Sequence, residues 1–187
     1  MKKINILIVA LLTLSLSVYG QHEEKNHNKH ESDGHFRVSV AIAHTFLPEE
    51  TAEGTQNLIL PTFALDIEYW MNHNWGIGLH NDLELLNFEV EDAHHNVFIE
   101  REFPVLITLD ALWKPNKNLV LFAGPGIELE SNKNYFVFRA GAEYEIPFSN
   151  NWDVCPLAFY DIRDGAYNTL TIGLGVGYTF GNKKRPH

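Results

Sequence analysis

The stretch "TIGLGVGYTF", Thr171 to Phe180, decides the fold. Ile172, Leu174, Val176, Tyr178 and Phe180 occupy one set of alternate positions, and Thr171, Gly173, Gly175, Gly177 and Thr179 the other. A period of two marks a strand with two unlike faces. On a water-facing surface three glycines would only weaken the strand. Inside a narrow eight-stranded barrel they serve a purpose, because the lumen barely fits side chains and small residues make room for large ones. The glycines are therefore expected to point inward, leaving Leu174, Val176 and Tyr178 on the outer wall.

The same period runs back through the chain. Eight runs are expected as strands: His35–Leu47, Leu58–Met71, Trp75–Val90, Val97–Trp113, Leu119–Glu130, Tyr135–Phe148, Trp152–Arg163 and Thr169–Phe180. None shows sustained helical spacing, so no helix is expected between 35 and 180. "NHN" (72–74), "KPNKN" (114–118) and "SNN" (149–151) read as short Asn-rich hairpin turns. Trp70, Trp75, Trp113, Phe148 and Trp152 cluster beside them. "PEETAEGTQN", "EDAHHN", "SNKN" and "DGAYN" form the other connections, mostly longer. The reading is an all-β, eight-stranded antiparallel up-and-down barrel with unequal ends.

Such a barrel has two solutions, apolar side inward in water or apolar side outward in a membrane. All nine lysines, at positions 2, 3, 25, 29, 114, 117, 133, 183 and 184, fall outside the strands. A soluble barrel would use lysine on its water-facing strand surface, where it also discourages edge pairing. With the membrane parity, Ile59, Phe63, Leu65, Ile67 and Tyr69 go out while Thr62, Ala64, Asp66 and Glu68 go in. Ile77, Leu79, Leu83 and Leu85 go out while His80, Asp82 and Glu84 go in. Asn81 would then face lipid. Pro61, Pro104, Pro125 and Pro156 each remove a ladder donor, and some are expected at bulges. The competing reading is a secreted or periplasmic soluble barrel binding an apolar small ligand.

On strand count, turn–loop asymmetry, aromatic placement and an apolar last strand ending on Phe180, residues 35–180 resemble the small outer-membrane barrels of the OmpA/OmpX type. The resemblance implies a membrane-spanning, side-chain-plugged barrel with roles in envelope stabilisation or adhesion and, in a few relatives, lipid-modifying enzymology. It also implies outer-membrane lipids and the barrel assembly machinery as partners. No peptidoglycan-binding periplasmic domain is expected after the barrel.

The ends and the composition fit export. "MKK", then "INILIVALLTLSLSV", then Val18-Tyr19-Gly20 form a signal peptide over residues 1–20. Residues 21–34 are expected to be a disordered His-rich leader and 181–187 a basic tail. Fourteen Lys+Arg against 24 Asp+Glu leave −10, which excludes nucleic acid as a partner. Mean hydropathy is −0.17, unremarkable for a barrel that alternates. One cysteine, Cys155, allows no intramolecular disulfide, and a monomer is expected.

Function is sought in two places. Asp66, Glu68, His80, Asp82, Glu84, Arg139 and Asp161 are expected to form a charge network in the lumen, within a larger inward acidic set that includes Glu100, Glu102, Asp110, Glu128, Glu130, Glu143, Glu145 and Asp153. Hairpin symmetry sets Asp66 opposite His80 and Arg139 opposite Asp161, with Arg101 outward. Such a lumen is structural filling or a cation path, since oxygen ligands suit hard cations. In the leader, His22, His27, His30 and His35 have donors for zinc, copper or nickel, although their spacing matches no structural zinc site. Catalysis is not expected: no G-x-S-x-G, phosphate loop or HExxH occurs, and Ser131 and His94/His95 lie in separate loops.

Overall fold

Val, Ile, Phe and Tyr alternate with small or polar residues, and that pattern suits a pleated surface with two environments. The structure, a computed structural model, describes residues 34–51, 54–92 and 97–180; the side chains at 49–57 and 88–100 are not described. Its elements are β1 (His35–Thr51), β2 (Gly54–Trp70), β3 (Trp75–Glu84), β4 (Asn87–Asp92), β5 (Val97–Glu102), β6 (Val105–Trp113), β7 (Leu119–Leu129), β8 (Tyr135–Tyr144), β9 (Ile146–Pro147), β10 (Trp152–Arg163) and β11 (Asn168–Phe180). Eight of them, β1, β2, β3, β6, β7, β8, β10 and β11, form the wall, each antiparallel to its neighbours, and β11 closes on β1. The short β9 continues the β8 side against β10. No helix occurs among the described residues.

The pairing sets the dimensions. Passing through paired residues from Phe36 to Tyr69, Ile77, Ala111, Ala123, Ala140, Tyr160 and Leu170 returns to β1 at Phe46. That stagger of about ten residues at ~3.3 Å each, against eight strand spacings of ~4.8 Å, tilts the strands by about 40°. The backbone cylinder is then about 16 Å across, too narrow to be empty once lined with side chains. Phe36 to Phe46 along the tilted β1 rises about 25 Å, the height of an apolar membrane band.

The outer face is apolar. Ile42 is 74% exposed and Leu174, its partner across the β1–β11 seam, 57%. Ile67, Ile77, Leu109, Phe138 and Ile172 continue this wall. Trp75 stacks on Trp113, and Trp152 meets Tyr178 edge-on, at the end carrying the Asn turns. Those turns are built by side-chain capping: Asn72 Oδ1 accepts from the Asn74 and Trp75 amides, at 2.9 and 3.0 Å. Asn116 Oδ1 accepts likewise from Asn118 and Leu119. Asn81 is half-buried, and its Nδ2 donates 2.9 Å to the Leu65 carbonyl, so its amide is satisfied by backbone rather than left bare against lipid.

The opening glycines face inward, where they make room. A Cβ on Gly175 would sit 2.8 Å from Cys155 Sγ, and one on Gly177 2.6 Å from the Arg37 guanidinium.

Four expectations change. The Trp75–Val90 run breaks after Glu84, and Val97–Trp113 breaks between Glu102 and Val105. Above the wall, β4 and β5 pair with each other as a separate ribbon. At the second break Phe103 takes φ 46°, a left-handed conformation costing a bulky residue about 1–2 kcal/mol. That reversal turns Arg101 inward, at 0% exposure, and leaves Glu102 exposed, the opposite of the strict-alternation reading. Pro61, Pro125 and Pro156 need no bulge. They face outward, and the ladders beside them keep their register, the β6–β7 pairing lapsing near Pro125 and resuming unshifted. Finally, Trp70 is not part of the outer aromatic girdle; it is 1% exposed and sits inside.

Candidate functional site in the barrel lumen

Inward parity collects the charges that the strands cannot show to the apolar wall. Asp66, Glu68, Asp82, Glu84, Asp110, Glu128, Glu143, Glu145, Asp153 and Asp161 are buried, and so are Arg37, Arg101, Lys114, Arg139, Arg163 and His80. Charges taken this far from water need close partners, and the arginines provide them in three tiers.

Nearest the Asn turns, Arg37 is the hub. Its Nη1 lies 2.5 Å from Glu68 and 2.9 Å from Glu143, Nη2 2.7 Å from Asp153, and Nε 3.9 Å from Glu145. Lys114 enters from its turn, Nζ 2.7 Å from Glu145 and 4.2 Å from the Trp70 ring centroid. Trp70 Nε1 in turn donates 2.7 Å to Glu68. One oxygen each from Glu68, Glu143 and Glu145 lies within 4.8 Å of the others, a grouping with room for a metal ion. The Arg37 guanidinium contacts all three, so the cation at this point is the arginine itself.

In the middle tier Arg139 grips Asp161 with two hydrogen bonds, 2.7 and 2.9 Å, and lies 2.5 Å from Asp82. Its guanidinium rests 3.8 Å from the Phe159 ring centroid. Arg139 and Asp161 are directly opposite in the β8–β10 ladder, and Asp66 and His80 in the β2–β3 ladder. The close partner of His80, however, is Asp110: Nδ1 to Oδ2 is 2.9 Å, with Thr108 donating to the same oxygen at 2.7 Å. Asp66 accepts from Ser39 at 3.1 Å.

The third tier lies toward the loops. Arg101 and Arg163 both bond Glu128, and Tyr167 donates 2.7 Å to it. Arg163 also donates to Thr169 at 2.9 Å and lies 3.5 Å from Glu84; Arg101 reaches Glu130 and the Lys133 carbonyl. Between the turn-side and middle tiers the lumen also holds apolar side chains, Leu112, Val120, Phe122, Leu157 and Phe159.

The structure thus brings together Asp66, Glu68, His80, Asp82, Glu84, Arg139 and Asp161 along one interior. His35 stacks on Trp70 at 6.2 Å in β1, while His22, His27 and His30 lie outside the described residues. Ser131 is exposed and donates to Glu130, and His94 and His95 are outside the described residues. Sequence reasoning missed Arg101, Lys114 and Trp70 as interior groups. Pro104 marked the break that reverses Arg101; for Lys114, at a turn, parity offered no signal.

A closed cylinder with an apolar wall and a charged, plugged interior is a transmembrane β-barrel. No protein-family model and no curated protein sequence matches the chain. Solved structures do. The attachment invasion locus protein Ail of Yersinia pestis, in complex with the heparin analogue sucrose octasulfate, is similar over 79% of this chain and 99% of that one, with TM-score 0.53 and 18% identity. A major outer membrane protein of Thermus thermophilus is similar over 79% and 99%, with TM-score 0.50 and 12% identity. At such identities the likeness is one of fold, and the fold is that of the small eight-stranded outer-membrane barrels. Fold and apolar belt together place the chain in the outer membrane. The soluble-container alternative required an apolar interior, and the interior here is charged.

Proposed function

We propose that this is a non-catalytic envelope barrel whose lumen is closed to solutes and whose contribution lies in its membrane-embedded wall and its loops. One observation supports the reading: arginine-centred ion pairs in three tiers, together with packed apolar side chains, fill the lumen among the described residues. A cavity in the middle offers about 10 Å³ to the centre of a water molecule, room for one water. In this reading the chain is exported by its signal peptide, inserted by the barrel assembly machinery and monomeric, with the Asn turns and both chain termini on the periplasmic side and the longer loops outside. Handling of cations is a second reading, favoured by the excess of buried carboxylates over arginines and lysine.

The test is planar-bilayer recording in potassium chloride. Purified protein is expected to give no current steps above the bare bilayer, and Asp66→Ala, which removes only one luminal carboxylate, is expected to remain silent. Discrete steps that scale with salt concentration would overturn the closed-lumen reading.

A further inference from the structure

The luminal charges do not balance. Among the described residues, ten buried carboxylates face five fixed cations, Arg37, Arg101, Lys114, Arg139 and Arg163, and one histidine. Uncompensated charge in a low-dielectric interior is costly, so the remainder must be paired with a bound cation or carry protons. A metal ion fits poorly: among the described residues the only carboxylates converging tightly enough for one already surround Arg37. Protons need no such convergence.

The placement of the carboxylates supplies a route. Glu84, Asp82 and His80 follow one another at inward positions of β3, and Asp66 stands opposite His80 on β2. Asp66, His80, Asp82, Arg139 and Glu143 line the one-water cavity together with apolar side chains. Asp82 Oδ1 and His80 Nε2 are buried and make no hydrogen bond to protein, as is Glu84 Oε2 one position further along. Both side chains are more than nine-tenths buried. These are the partners a single internal water needs, and they join the loop-side half of the ladder to the turn-side half.

We infer that this lumen relays protons from one side of the barrel to the other while remaining closed to larger ions. A proton held by Glu84 passes to Asp82 and through the water to His80 Nε2. The imidazole releases its Nδ1 proton to Asp110, 2.9 Å away. Release continues toward the carboxylates of the turn-side tier. Each carboxyl is restored as it hands its proton on, and a half-turn of the His80 ring brings its protonated nitrogen back to Asp110 and its bare nitrogen back to the water before the next proton arrives. No covalent bond forms or breaks, and no oxidant or co-reactant is needed. The positive groups bordering the route are Arg163 beside Glu84, Arg139 beside Asp82 and Arg37 beside Glu68.

The inference rests on the closed-lumen reading, and two readouts separate their failures. Full-length protein is reconstituted in vesicles enclosing a pH-sensitive dye, with potassium and valinomycin clamping the voltage. An imposed pH gradient should collapse faster than in protein-free vesicles. Asp82→Asn and His80→Gln, each shown folded by retained heat-modifiable migration, should slow the collapse to the protein-free rate. Wild-type flux equal to that of protein-free vesicles, or both variants matching wild type, would overturn the relay alone. Potassium or chloride currents in the bilayer would instead overturn the closed lumen.

Discussion

Arg37→Ala is expected to destabilise the barrel by about 3–5 kcal/mol, the cost of stripping the partner from a buried ion pair. The reason is local: Glu68, Glu143 and Asp153 each lie within 3 Å of the guanidinium, and Glu145 sits behind them. Removing one cation leaves four carboxylates with only Lys114, bonded to Glu145, nearby. Lysine at position 37 should rescue only part of the loss. It cannot reproduce the two bonds from Nε and Nη2 to Asp153, at 3.3 and 2.7 Å. Urea titration of folding into phospholipid vesicles reads the difference. A loss below about 1 kcal/mol, the range of an exposed pair, would show that the turn-side tier is hydrated and not a desolvated hub.

The second large effect tests the wall. Leu174 lies at the middle of β11 and faces outward, opposite Ile42 on β1 and Pro156 on β10. Leu174→Arg should cost about 2–4 kcal/mol in vesicles, the figure for a cation on the lipid face at the bilayer midplane. On a water-exposed strand the same change would fall within about 0.5 kcal/mol. Placing arginine instead at Phe36, near the turn end of the belt, should cost less, about 0–1 kcal/mol, because the side chain can reach the interface. Equal small costs at both positions would deny the belt its lipid contact.

Much of this was legible in the sequence because strand geometry has an integral period. Once Gly173, Gly175 and Gly177 are assigned inward, Leu174 and Val176 must face outward, and the same parity carries through Asp66, His80 and Arg139. The Asn turns were legible because Asn72 and Asn116 cap their own backbones. What failed to show was local exceptions to the period. Phe103 prefers extended backbone, so nothing in its chemistry announces φ 46°; only the following proline hinted that the strand would stop. The partner of His80 was hidden for another reason. Hairpin symmetry gives Asp66 on β2, whereas Asp110 on β6 approaches by side-chain reach from a strand that is adjacent in space and thirty residues on in sequence. Trp70 was misplaced because aromatics near turns suit a girdle, and the alternation that puts Tyr69 outside was the stronger signal.

Spin labels on single cysteines test the orientation of the wall most directly. With Cys155 replaced by alanine, labels are placed in turn at Ile42, Leu174 and Val176 in protein folded into vesicles. Collision rates with oxygen and with a water-soluble nickel chelate are then measured by paramagnetic resonance. All three positions should meet oxygen often and the chelate rarely, most of all at Leu174. Frequent chelate collisions at Leu174 and Ile42 would show water on that face and contradict the membrane-embedded barrel.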